Sequence, residues 1–127
     1  MGIDVFARWR GQTADERKRM EEAWLSIDCG HAGYLREAYH GEPYATQYLV
    51  SEAFASETDQ ARIPAAVLRE RLAYTLELAA ERERTVYDYK GDITHEHPAL
   101  KSFIDFVELC ERKERETGAP VTIIVWA

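Results

Sequence analysis

Residues 2 to 10 alternate, with Ile3, Val5, Ala7 and Trp9 on one side and Asp4, Phe6, Arg8 and Arg10 on the other. A period of two marks a half-buried strand, so the chain is expected to open with one and to leave it at Gly11. Thr13-Ala-Asp-Glu16 matches a capping box, whose hydroxyl and carboxylate satisfy free amides at a helix start. A polar helix to about Ala23 is therefore predicted. From Trp24 to Asp28 the side chains alternate again, which reads as a short strand or as the end of that helix. After Gly33, the residues Leu35, Ala38 and Tyr39 stand at i, i+3 and i+4, predicting a short helix over 34–40 that Gly41 stops. Pro43 has no amide to leave unpaired in a first turn. It is expected to open a second helix with Ala45, Tyr48, Leu49 and Ala53 on one side.

Ser56 to Arg62 is polar and turn-like. From Pro64 onward Leu68, Leu72, Leu76 and Ala80 step by four, with Val67 and Ala79 widening the stripe, which predicts a long helix to Tyr87. Arg69, Glu70, Arg71, Glu77, Glu81, Arg82 and Glu83 are expected on its solvated face. Residues 88–97 read as a loop. Pro98 starts a helix whose Leu100, Phe103, Ile104, Val107 and Cys110 face a core, and Gly118 and Pro120 are placed to end it. Val121 to Trp126 is a β-branched strand. Both terminal strands need hydrogen-bonding partners, and the sequence shows no other long strand, so they are expected to pair with each other, with 24–28 as a third member. The pattern predicts an α+β fold, mostly helical, with four or five helices packed on a sheet of two or three strands, in a single domain of residues 1–127.

Composition narrows the function classes. A net charge of -7 argues against the counterion-releasing binding that nucleic acids and anionic bilayers require, so neither partner is expected. Arg8, Arg10, Arg17, Lys18 and Arg19 lie close together, but Asp15, Glu16, Glu21 and Glu22 interleave with them. No run approaches the roughly 20 apolar residues of a membrane helix, and no signal-peptide pattern opens the chain. Cys29 and Cys110 lack a CxxC spacing, which points to a reducing, cytoplasmic setting. Trp9 and Trp126, near the outer ends of the terminal strands, offer an aromatic surface for a protein partner, and the edge of so small a sheet offers a homodimer contact.

The densest chemistry lies in Cys29-Gly-His-Ala-Gly-Tyr-Leu-Arg-Glu-Ala-Tyr-His-Gly-Glu-Pro-Tyr44. On a helix over 34–40, Arg36, Glu37 and His40 would share an arc of about 100°, and Gly30 and Gly33 before it would let an anion approach its free amides. The ligand-binding residues expected on this reading are His31, Tyr34, Arg36, Glu37, His40 and Tyr44. Arg36 would clamp a small anionic molecule, a histidine would titrate near neutrality, and the tyrosines would supply walls or donors. The plainer alternative is that the glycines turn the chain, Arg36 and Glu37 pair with neighbours, and the histidines make ordinary hydrogen bonds. A zinc site would draw on Cys29, His31, His40, His95 and His97, but neither Cys29-x-His31 nor His95-x-His97 has the spacing of a structural zinc motif. No complete catalytic set and no cofactor fingerprint is readable; Cys29 near His31 lacks a third orienting group.

Residues 1–13, 33–44 and 100–113 resemble a family of small bacterial proteins of uncharacterised function. The resemblance spans nearly the whole chain and implies a bacterial, intracellular protein without implying any activity, cofactor or site residue. The leading expectation is a binding or interaction module with a polar site in residues 29–44. The alternatives are a small enzyme acting on an anionic metabolite through Arg36 and a histidine, and a zinc-binding protein through Cys29 and histidines.

Overall fold

The apolar side of the opening segment needs a core to face, and its backbone needs partners on both edges. In the computed structural model, which describes residues 2–127 apart from the side chain of Leu25, both needs are met by one sheet. Met1, inside the expected domain 1–127, lies outside the described residues. Strand β1 (Gly2–Arg8) is central, and β4 (Val121–Trp126) pairs with it antiparallel, as the two terminal strands were expected to do. On its other edge β1 takes β2 (Tyr34–Ala38), and beyond β4 lies β3 (Gln60–Ile63), giving the order β2-β1-β4-β3 with every neighbour antiparallel. The α+β class holds, with five α-helices among the described residues, but the sheet has four strands rather than two or three.

Helix α1 (Ala14–Glu22) carries the predicted capping box, Thr13 and Glu16 each accepting the other's amide. The expected strand over 24–28 is instead a 3-10 turn at Ala23–Leu25 followed by a bend. Five alternating residues are too few to hold a strand by themselves, and the segment borders the edge strand β2 without pairing to it. A second 3-10 turn, Gly30–Ala32, ends at Gly33, whose positive φ of 87° turns the chain into β2.

The helix expected over 34–40 is therefore β2. Leu, Arg, Glu and Ala all favour helix in isolation, by tenths of a kcal/mol per residue, and that preference is outweighed by pairing with the free edge of β1. Pro43 does not begin the next helix. Instead α2 (Ala45–Leu49) follows Tyr44, and a kink at Val50 separates it from α3 (Ser51–Ala55), so the expected continuous helix is two short ones and Tyr48 is 38% exposed. The turn-like 56–62 segment contains β3, an edge strand whose Gln60 and Arg62 face out while Ile63 is buried. Its four residues hold too few apolar positions to announce it.

The two long helices fall where the period-four stripes place them. Helix α4 (Ala65–Thr85) buries Leu68, Leu72, Leu76 and Ala79, and α5 (Pro98–Thr117) buries Leu100, Phe103, Phe106, Val107 and Cys110, closed by Gly118. These side chains join Ile3, Val5, Ala7, Leu35, Ile63, Val121, Ile123 and Val125 from one face of the sheet in one core. The other sheet face carries Asp4, Phe6, Tyr34, Arg36, Ile124 and Trp126, and Met20 with Cys29 packs over Tyr34.

Candidate functional site

On a strand, neighbouring side chains point to opposite faces, so β2 separates Arg36 from Glu37. Arg36 lies on the outer face, where its Nη1 donates to Asp4 Oδ1 at 2.7 Å from the directly opposite position on β1. The Tyr34 hydroxyl donates to the same Asp4 oxygen. Burial first, and the Asp4 carboxylate second, push the Tyr34 phenol up to about 12. The guanidinium expected to clamp an anion already has its carboxylate.

Glu37 points inward and is 6% exposed. Its carboxylate accepts the amides of Ala45 and Thr46, each at 2.8 Å, and the Thr46 hydroxyl, so it caps the start of α2 from a different element. Tyr44, the residue at that cap position, makes no side-chain cap of its own. His40 is exposed and lies edge-on to the Tyr87 ring, with centroids 5.7 Å apart. Tyr44 is half-buried beneath the Arg82 guanidinium, 4.9 Å from its ring centroid. His31 is exposed in the Gly30–Ala32 turn. The six expected ligand residues are thus spread over both faces of the sheet and over two separate clefts, with Arg36 and Glu37 bordering one and His31 the other.

The cysteine and histidine set expected for zinc is also dispersed. Cys29 is buried with its Sγ 3.7 Å from Ser102 Oγ, and burial raises its thiol pKa, so it is poorly placed as a nucleophile or ligand. His97 caps α5, its Nδ1 accepting the Ala99 amide at 3.1 Å, and its ring stacks edge-on with Tyr89.

Two residues that bear on the sites depart from what the sequence pattern suggests. Arg82, expected on the solvated face of α4, is 4% exposed. It donates to the carbonyls of Ala38, Gly41 and Pro43 and lies over the Tyr44 and Tyr87 rings, tying the β2–α2 connection to α4. The signal was present: Arg82 continues the stripe of Leu72, Leu76 and Ala79. Asp105, on α5, has no sequence mark of its own, and becomes notable only because the fold sets it beside the 28–31 turn.

The first cleft, about 500 Å³, is bordered by β2, the C-terminal part of α4, the start of α5 and the 24–27 bend. Leu35, Ala38, Ala79, Ala99 and Phe103 give it an apolar lining, and Trp24 and Ile27, 56% and 62% exposed, stand at its border. Glu37 and Arg82 also line it, but their charges are taken up by backbone amides and carbonyls. The second cleft, about 460 Å³, lies between α1 and α5 and has a mixed lining, with Trp9 and Leu109 beside the charged Glu16, Arg19, Asp28, Arg112 and Lys113 and with His31. Lys113 bridges it, 3.3 Å from Glu16 and 5.2 Å from the Trp9 ring centroid. A smaller notch of about 230 Å³ gathers the exposed Arg8, Arg10 and Arg62 beside Thr122.

No family model matches the chain, and no curated protein or solved structure is detectably similar to it. No helix among the described residues is long and apolar enough to cross a membrane.

Proposed function

We propose that this protein is a small binding module that takes an uncharged, largely apolar small molecule into the cleft between β2 and the α4–α5 pair. The observation that carries this reading is the pair of large apolar side chains, Trp24 and Ile27, left more than half exposed beside an apolar concavity. Concavities of about 300 to 1,000 Å³ with apolar walls and a few fixed polar groups suit small molecules. Its volume of about 500 Å³ falls in that range. Covering Trp24 and Ile27 would contribute about 25 cal/mol for each Å² of apolar surface removed from water. The charge pattern disfavours an anion: Arg36 is matched by Asp4, Glu37 by amides and Arg82 by carbonyls, and Glu83 adds a negative charge to the lining.

The same pairing weakens the enzymatic alternative. An anionic metabolite held by Arg36 and processed by a histidine would need Arg36 released from Asp4, while His31 borders the other cleft. Binding without chemistry is the function that these contacts support.

Thermal-shift screening of uncharged aromatic and aliphatic fragments tests the reading, with wild type and Ala99→Phe side by side. Ala99 lines the cleft at the start of α5, and a phenyl ring there would occupy it. A ligand at about 100 times its Kd stabilises by about 2.7 kcal/mol, on the order of 10 °C for a chain of this size. Such shifts are expected in wild type and not in Ala99→Phe. No shift in wild type, or equal shifts in both proteins, would contradict the proposal.

A further inference from the structure

The second cleft carries a different chemistry, and it stands independently of the apolar cleft. We infer that Asp28, His31 and Asp105 form a binding site for a divalent transition-metal ion of the zinc or manganese type. Each residue offers one ligand atom, and these atoms all lie within 4.8 Å of one another. A cation with bonds of about 2.0 to 2.2 Å holds its ligands roughly 3 to 4 Å apart, so small side-chain rotations close the set.

The carboxylate of Asp28 supplies the independent observation. Its Oδ1 is buried and has no hydrogen-bond partner among the described residues. A buried acceptor left in that condition costs about 1 to 3 kcal/mol, and more when charged, unless something satisfies it. The local chain holds the residue there regardless: the Asp28 amide donates to Ser26 Oγ at 3.2 Å, and the Ser26 hydroxyl donates back to the Asp28 carbonyl. A cation shared with His31 and Asp105 would give that carboxylate a partner without disturbing the turn.

The spacing between the two contributing elements is also fixed. Gly30, between Asp28 and His31, donates its amide to Ser102 Oγ at 3.1 Å. It packs so closely on α5 that a Cβ there would lie 1.7 Å from the Ser102 carbonyl oxygen. Ser102 is one helical turn before Asp105, so the Gly30–Ser102 contact sets the distance from the turn to the third ligand. Lys101 Nζ holds Asp105 Oδ2 at 3.0 Å, orienting that carboxylate and leaving its other oxygen free of that contact.

The donor set selects the ion. Imidazole nitrogen favours zinc, copper, nickel and iron over magnesium and calcium, while two carboxylates are harder than the thiolates that mark structural zinc sites. Three protein ligands leave coordination positions for water or for a donor arriving through the cleft, which Asp28 and His31 line. Of the histidines and cysteines expected for zinc, His31 is the one that this site uses.

Isothermal titration of ZnCl2 into the tag-free full chain tests the inference, with Asp28→Asn, His31→Gln and His95→Gln as variants. His95→Gln tests the exposed His95-Glu-His97 loop as an adventitious zinc binder. About one Zn²⁺ per chain is expected for wild type and His95→Gln, with affinity lowered more than about tenfold in Asp28→Asn and His31→Gln. His31 is exposed, so its variant decides the matter if Asp28→Asn fails to fold. Absence of saturable binding to wild type, binding unchanged in His31→Gln, or binding lost in His95→Gln would overturn the assignment. A parallel MgCl2 titration should show weaker binding than zinc; equal affinity would remove the imidazole from the site.

Discussion

Replacing Glu37 by alanine separates the strand from the helix that the sequence suggests at the same residues. In a helix over 34–40, Glu37 would stand in solvent beside Arg36, and its loss would change stability by less than about 0.5 kcal/mol. In β2 the side chain is 6% exposed and its carboxylate accepts two amides of α2 at 2.8 Å each, together with the Thr46 hydroxyl. Hydrogen bonds to a charged group contribute about 1.5 to 3 kcal/mol each, and deleting one partner strands the donors in the interior. The three share one carboxylate and do not add fully, so Glu37→Ala should cost about 4 kcal/mol. At about 3 to 5 °C per kcal/mol, the midpoint should fall by roughly 12 to 20 °C. Glu37→Gln keeps one acceptor oxygen but turns an amide NH2 toward a donor, and should fall between the other two proteins. Urea denaturation followed by circular dichroism, with comparable slopes for all three, gives the difference directly. A loss below about 1 kcal/mol for Glu37→Ala would refute the capping role and with it the energetic account of this corner.

Three further outcomes follow from the same geometry. Gly30→Ala should destabilise by at least about 3 kcal/mol in the same denaturation assay, because its methyl would overlap the Ser102 main-chain oxygen, which cannot rotate away. Arg82→Met should cost about 3 kcal/mol and perturb the amide resonances of residues 38–44, since the carbonyls of Ala38, Gly41 and Pro43 lose their shared donor. Arg71 bonding holds the Glu52 carboxyl at about 2, against 4.5 for the free group. That contribution is therefore complete above about pH 4.5 and lost as pH falls toward 2. Because the Glu52 side chain is 43% exposed, screening reduces it to about 1 kcal/mol, and Glu52→Gln should flatten the acid limb of a stability profile by about that amount.

Much of the fold was legible because long periodic segments leave little freedom. The stripes of α4 and α5, the capping box at Thr13 and the β-branched run of β4 each match one backbone conformation. The errors fall where a few residues satisfy two periods at once. Leu35, Ala38 and Tyr39 fit a helical face, and the alternation of Leu35 and Glu37 against Tyr34, Arg36 and Ala38 becomes readable only once the β1 edge demands a partner. A buried glutamate breaks the usual apolar inner face of such a strand, and the two α2 amides that make it tolerable lie eight and nine residues onward. The site residues repeat this lesson. The sequence singles out His31 for its neighbours along the chain, yet the fold brings a carboxylate oxygen of Asp28, three residues earlier, and one of Asp105, on α5, within 4.8 Å of its ring nitrogen. The charge of Arg82 points to solvent, while its place in the α4 stripe points to the interior, where the fold puts it.

The central claim, that the β2 cleft binds a small apolar molecule, is tested most directly by 15N chemical-shift mapping with the strongest fragment from the thermal screen. Saturable perturbation of the amides of Leu35 to Ala38, Ala79 and Phe103, lost in Ala99→Phe, is the predicted result. Perturbation confined to the α1–α5 cleft or the outer sheet face, or a fragment that moves no resonance saturably, would contradict it.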